Sequence, residues 1–145
     1  MTHPSLRPSL AVALVALPAV ALSQAAPRSV WGGVYSAAQV QRGAAVYAAS
    51  CASCHGDALG GNDQAPALAG SGFLANWNGQ TAAALFTRIK TTMPFDNPNS
   101  LGAAKVADVE AMILSKNGFP AGAAELPSDA GALGAIAITQ DKPGA

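Results

Sequence analysis

Histidine and cysteine are nearly missing from this chain of 145 residues, which holds two of each. A structural zinc site needs four ligands, and no second Cys/His cluster stands ready to complete one. Charge is also sparse, at 11% of residues, with eight basic against eight acidic side chains. No basic stripe runs along the chain, which argues against nucleic acid as a partner. Aromatic residues make up 6%, and much of the apolar fraction is alanine, so the chain has few large side chains with which to fill a core. Alternating apolar and polar strands are not found, nor is the strand–turn–helix context of a thioredoxin-like redox pair. There is no internal repeat.

Against that background one stretch stands out: Cys51-Ala52-Ser53-Cys54-His55. Both cysteines of the chain fall in it, two residues apart and followed at once by histidine. This is the pattern of covalent haem attachment. Each thiol forms a thioether to one vinyl group, and the adjacent histidine lies under the iron as its proximal ligand. A disulfide between the two thiols is the alternative in an oxidising compartment, but the spacing and His55 favour haem. With no repeat of the motif, one haem c is expected. Its apolar surface would supply what an alanine-rich core lacks, so the apoprotein is expected to fold poorly.

The N-terminus agrees. Met1 to Ser9 carries Arg7, Leu10 to Leu22 is apolar, and Ser23-Gln24-Ala25 places small residues where a signal peptidase reads. The expectation is a signal peptide over 1–25, cleaved after Ala25, and a periplasmic protein. The alternative is a leader kept as an anchor, although Pro18 interrupts the apolar run and its length is short for a bilayer. Cleavage would remove Arg7 and His3. That leaves a near-neutral, slightly acidic chain of a size for one small domain, with His55 as its one histidine.

Three helices are predicted. Ser36 is a suitable N-cap for a helix over Ala37 to Ala49. Gly43 inside it costs about 1 kcal/mol relative to alanine and suits a close backbone approach, with Tyr47 on the same face. A second helix spans about Thr81 to Lys90, with Ala84, Leu85, Phe86 and Ile89 as its apolar stripe. A third starts near Ser100 or Leu101 and ends before Asn117-Gly118, a C-cap signal, with Val106, Val109, Met112 and Ile113 on one face. The stretch 56–79 reads as loop. An N-terminal extension over 26–35, a main domain over 36–118 and an extended, partly mobile Pro/Gly/Ala-rich tail over 119–145 complete the division. Within the tail, Ile136 and Ile138 are candidates to pack back.

A low-spin carrier needs a second strong axial ligand. Without a second histidine, Met93 and Met112 remain. Met112 sits on a helical apolar stripe, where core packing is the favoured reading. Met93, in Thr91-Thr92-Met93-Pro94, follows a helix and precedes a proline that cannot continue it. The metal ligands are therefore expected to be His55 and Met93. Thioether ligation favours reduced iron.

The whole arrangement resembles the class I c-type cytochromes, over about Tyr35 to Gly118. The resemblance implies an all-α cytochrome c fold with three to five helices wrapped around one haem. It also implies that Gly43 and Tyr47 cross Val109 and Met112, where Met112 replaces the usual aromatic. Pro66 matches the family proline whose carbonyl bonds the ligating histidine. Leu68 would pack on the haem, and Trp77 would reach a propionate; for Arg88 and Lys90 solvated positions are favoured over a propionate contact. The flanks 29–35 and 117–122, with the Met93 loop, resemble cytochromes associated with periplasmic quinoprotein (PQQ) alcohol dehydrogenases, and also cytochromes of sulfur-compound oxidation. Asn99 stands there where glycine is usual, and asparagine tolerates the left-handed region.

With both axial positions filled, no substrate site is left on the iron. The expected function is single-electron transfer from a dehydrogenase toward an oxidase or second cytochrome, rather than catalysis. The alternative is a subunit permanently bound to a quinoprotein or sulfur-oxidising dehydrogenase. A haem enzyme or gas sensor would need an open sixth position.

Overall fold

Alanine content and one cap set the first helix. The computed structural model describes residues 28–142 and Gly144; the expected leader over 1–25 lies outside the described residues. Helix α1 (Ala37–Ser50) starts at a full capping box, in which the Ser36 hydroxyl accepts from Gln39 N–H and the Gln39 side chain accepts from Ser36 N–H. A four-residue helix α2 (Ala52–His55) follows, then α3 (Gly70–Trp77), α4 (Ala82–Thr92) and α5 (Ala103–Lys116). A short α6 (Ala130–Leu133) lies near the end. Two two-residue strands, β1 (Arg28–Ser29) and β2 (Ile136–Ala137), pair in parallel and join the two ends of the described chain. The fold is all-α, with this small pair as its sole sheet among the described residues.

The packing of α1 on α5 organises the molecule. Helix α1 buries Gln39, Gly43 and Tyr47, one residue per turn along a narrow stripe. At Gly43 an added β-carbon would lie 1.9 Å from the Asp108 carbonyl oxygen and 3.0 Å from Met112 Cβ. Only glycine permits that approach, and Met112, 1% exposed, packs beside it as a core residue.

Helix α5 departs from the one-sided pattern. Every residue from Val106 to Leu114 is buried, including the acids Asp108 and Glu110. Helices α1 and α4 pack on it, and the flanks, tied to each other and to α1, join the same buried cluster. Tyr35 donates its hydroxyl to Phe119 O, Trp31 Nε1 donates to Thr139 O at 2.9 Å, and Trp31 meets Phe119 edge to face at 4.9 Å. Gln39 brackets the Leu126 backbone, donating to its carbonyl at 3.0 Å and accepting its N–H at 2.6 Å. Gly33 and Gly122 lie so close that a β-carbon on Gly122 would stand 2.0 Å from Gly33 O. Val30, Leu126, Leu133, Ile136 and Ile138 are buried in the core. The C-terminal stretch is thus bound into the domain rather than extended and loose, and Ile136 and Ile138 pack as expected.

The stretch 56–79 also departs from the loop reading, because α3 forms within it. Phe73, fully buried, and Trp77 stack one turn apart, with centroids 6.4 Å apart. The burial of Phe73 in the core outweighs the poor helix propensity of Gly70 and Gly72. Among the described residues no helix is long and apolar enough to cross a membrane.

Candidate haem site

Helix α1 ends at Cys51, and the chain turns at once into α2, which carries Cys54 and His55. Cys51 N–H closes the first helix on Tyr47 O at 2.8 Å, and His55 N–H bonds Cys51 O at 3.0 Å. Tyr47 then donates its hydroxyl to Gly56 O at 2.7 Å, tying α1 to the far end of the motif. Burial pushes the Tyr47 phenol up to about 12, so it stays a donor. Both thiols are free, Cys51 half-buried and Cys54 exposed. Burial, and then neighbouring Cys54, push the Cys51 thiol up.

His55 is 8% exposed, and its Nδ1 lies 2.9 Å from the Pro66 carbonyl oxygen. A carbonyl has no proton to give. Nδ1 must therefore carry the hydrogen, so that in the neutral ring the lone pair falls on Nε2. A neutral imidazole held in this tautomer is the form that ligates iron.

The loop that carries Pro66 is fastened on both sides. Asn62 donates to Cys54 O at 2.9 Å, and its side-chain oxygen accepts Gln64 and Ala65 N–H, each at 2.9 Å. Gly61 N–H bonds His55 O at 2.9 Å. Beyond Pro66, Asn117 at the end of α5 donates to Leu68 O at 3.0 Å and accepts Gly70 N–H at 2.9 Å. Neither Asn62 nor the reach of Asn117 was among the sequence-predicted site residues. Asx-turn chemistry at Asn62 was the available signal; the Asn117 contact spans 49 residues and left none. Leu59 also escaped: it is 2% exposed and holds φ +59°, with its carbonyl accepting Leu68 N–H at 2.8 Å.

The remaining predicted residues border one apolar cluster. Cys51, Leu68, Trp77 and Met93 are each partly buried against the core that includes Tyr47, Leu59, Phe73 and Ile113. Met93 caps α4, with its N–H on Ile89 O at 3.0 Å and extended backbone that ends the helix. Lys90 donates to Asn99, whose φ of +62° uses the left-handed tolerance of asparagine. Arg88 is exposed. No group of three or more Cys, His, Asp or Glu is assembled for a metal ion among the described residues. The motif is therefore not part of a zinc cluster there, while a free CxxC pair, an available Nε2 and an adjoining apolar cluster fit a covalently held haem.

Residues 38–111 match the protein family described as cytochrome c oxidase, cbb3-type, subunit III. The chain belongs to this family of c-type cytochromes. Family membership brings with it one haem c, with its iron, for which Cys51, Cys54 and His55 have the attachment spacing. No curated protein matches the chain. Among solved structures, it is similar to the sulfane dehydrogenase SoxCD from Paracoccus pantotrophus, at 26% identity and a TM-score of 0.46, covering 77% of this cytochrome. The cytochrome spans 60% of that chain.

Proposed function

We propose that this cytochrome is a periplasmic carrier of single electrons, in which Cys51 and Cys54 hold the porphyrin and His55 Nε2 and Met93 Sδ hold the iron. The observation that carries the reading is the bond from His55 Nδ1–H to Pro66 O, which fixes the ring with Nε2 free. When bound, the haem supplies a one-electron couple. The protein's part is to keep that couple in place. Tyr47 and Asn62 brace the two sides of the attachment turn, Pro66 orients the His55 ring, and the α4 terminus presents Met93 at the border of the core. Leu68 would pack on the macrocycle, and the Trp77 indole would serve a propionate.

The signal-peptide pattern in 1–25 supports export, on the side of the membrane where haem is attached. The donor is taken to be a periplasmic dehydrogenase, of the quinoprotein kind by the resemblance of the flanks, and the acceptor an oxidase or second cytochrome. Encounters of this kind use small interfaces. The near-neutral chain supports docking through an apolar rim rather than long-range steering. The rival reading is a permanently bound dehydrogenase subunit docking through its proline-rich ends. Against it, those ends are bonded to each other, at Trp31–Thr139 and Tyr35–Phe119, and the C-terminal one to α1 at Gln39–Leu126. Co-purification from the native source tests the choice: recovery without a stoichiometric partner supports the carrier, and an inseparable large subunit overturns it.

A further inference from the structure

Glu110 sits in the middle of α5 with no exposed surface, and neither carboxyl oxygen has a hydrogen-bond partner among the described residues. The other buried polar side chains among the described residues are all engaged: Gln39 with Leu126, His55 with Pro66, Asp108 with Arg42. The ionisable groups of the elements around α5 are also occupied elsewhere or directed to solvent. On α1, Arg42 is taken by Asp108 and Glu125, and Tyr47 donates to Gly56. On α4, Lys90 donates to Asn99 and Arg88 is exposed. Tyr35 donates to Phe119, and Asp129 caps α6. On α5 itself, Lys105 and Lys116 are exposed. An unpaired carboxylate in such surroundings is strongly disfavoured, and burial pushes the Glu110 carboxyl well above the usual range.

We propose that Glu110 is a redox-linked protonation site, taking a proton from solvent as the cytochrome gains an electron and returning it as the electron leaves. The neighbours of Glu110 along the helix, Val109, Met112 and Ile113, belong to the same apolar cluster that Cys51 and Met93 border. A change of one charge at the iron therefore acts on Glu110 through a low-dielectric interior, where screening is weak. Loss of one positive charge on reduction makes the carboxylate less favourable and raises its affinity for a proton. The balance is one electron from the donor protein and one proton from water, both released on oxidation. Linkage is reciprocal, so pH must shift the affinity for the electron. The inference rests on the electron-carrier reading.

The test is the reduction potential of the holoprotein from about pH 5 to about pH 9. Electron affinity is expected to fall with rising pH, by up to tenfold per pH unit, or about 59 mV, and Glu110→Gln should flatten that slope. A slope retained in the variant, or a wild-type potential indifferent to pH, overturns the proposal. The reduced-minus-oxidised infrared spectrum of wild-type protein carrying labelled glutamate keeps the test open if the variant fails to fold. A protonated-carboxyl band gained on reduction supports the proposal, and an unchanged carboxyl region overturns it. Absence of any reversible one-electron couple overturns the carrier reading and this proposal with it. A reversible couple that ignores Glu110 overturns this proposal alone.

Discussion

Gly43 of α1 faces the Asp108 carbonyl of α5 with no room for a side chain: a β-carbon there would lie 1.9 Å from the oxygen. The obstacle is backbone, which cannot rotate away. Gly43→Ala must therefore push the helices apart, although alanine is the better helix former. A loss of about 3 kcal/mol or more is expected in urea denaturation of the holoprotein. A variant as stable as wild type would show that α1 and α5 do not cross here.

Gln39 is 2% exposed and satisfies both the N–H and the carbonyl of Leu126. Gln39→Ala strips a partner from two buried backbone groups. About 2–4 kcal/mol of stability should go, at roughly 1–3 kcal/mol for each orphaned group before water enters. Hydrogen exchange at the Leu126 amide should speed up more than exchange in α4. Uniform acceleration would mean that the variant acts globally rather than by releasing the C-terminal stretch.

Asn62 makes three bonds around the loop that presents Pro66. Asn62→Ala should cost about 1–2 kcal/mol, since the residue is exposed and water replaces part of what is lost. Its sharper effect is on His55, whose Nδ1–H partner becomes less firmly held. The histidine Nδ1–H resonance of the reduced protein should broaden or exchange faster. An unchanged resonance would mean that Pro66 is positioned without Asn62.

Glu110 gives stability a definite pH dependence. Its unfolded affinity is ordinary, near pH 4.3, and burial raises the folded value well above it. Between the two, the folded state keeps a proton that the unfolded chain has released. Stability therefore declines with rising pH, by about 1.4 kcal/mol per pH unit, through that window. Below the unfolded value the contribution is complete and flat. Denaturation of the oxidised protein across pH should show this slope in wild type, and Glu110→Gln should lack it; equal slopes would contradict the isolation of the carboxyl.

Much of this was legible in local sequence. The helices α1, α4 and α5 follow from a Ser36 cap, an apolar stripe ending at Ile89 and the Asn117-Gly118 stop, where Gly118 takes φ +81°. The attachment motif is contiguous, so no folding was needed to read it. What escaped depends on contacts distant in sequence. Helix α3 exists because Phe73 and Trp77 have a core to enter, despite two glycines. The C-terminal stretch looks loose by composition, yet Leu126, Leu133, Ile136 and Ile138 are buried and Gln39 holds it from 87 residues away. Glu110, four residues after Val106 and three before Ile113, borders the apolar stripe, and nothing local indicates that the fold buries it completely.

The absorption spectrum of the matured holoprotein, before and after dithionite and then with carbon monoxide, tests the central claim most directly when Met93→Ala is taken alongside. Wild type should show sharp reduced bands, a weak far-red band when oxidised and no response to carbon monoxide. The variant should lose the far-red band and bind carbon monoxide. High-spin bands or rapid carbon monoxide binding in wild type would contradict ligation by His55 and Met93, and protein without covalently held haem would contradict the account as a whole.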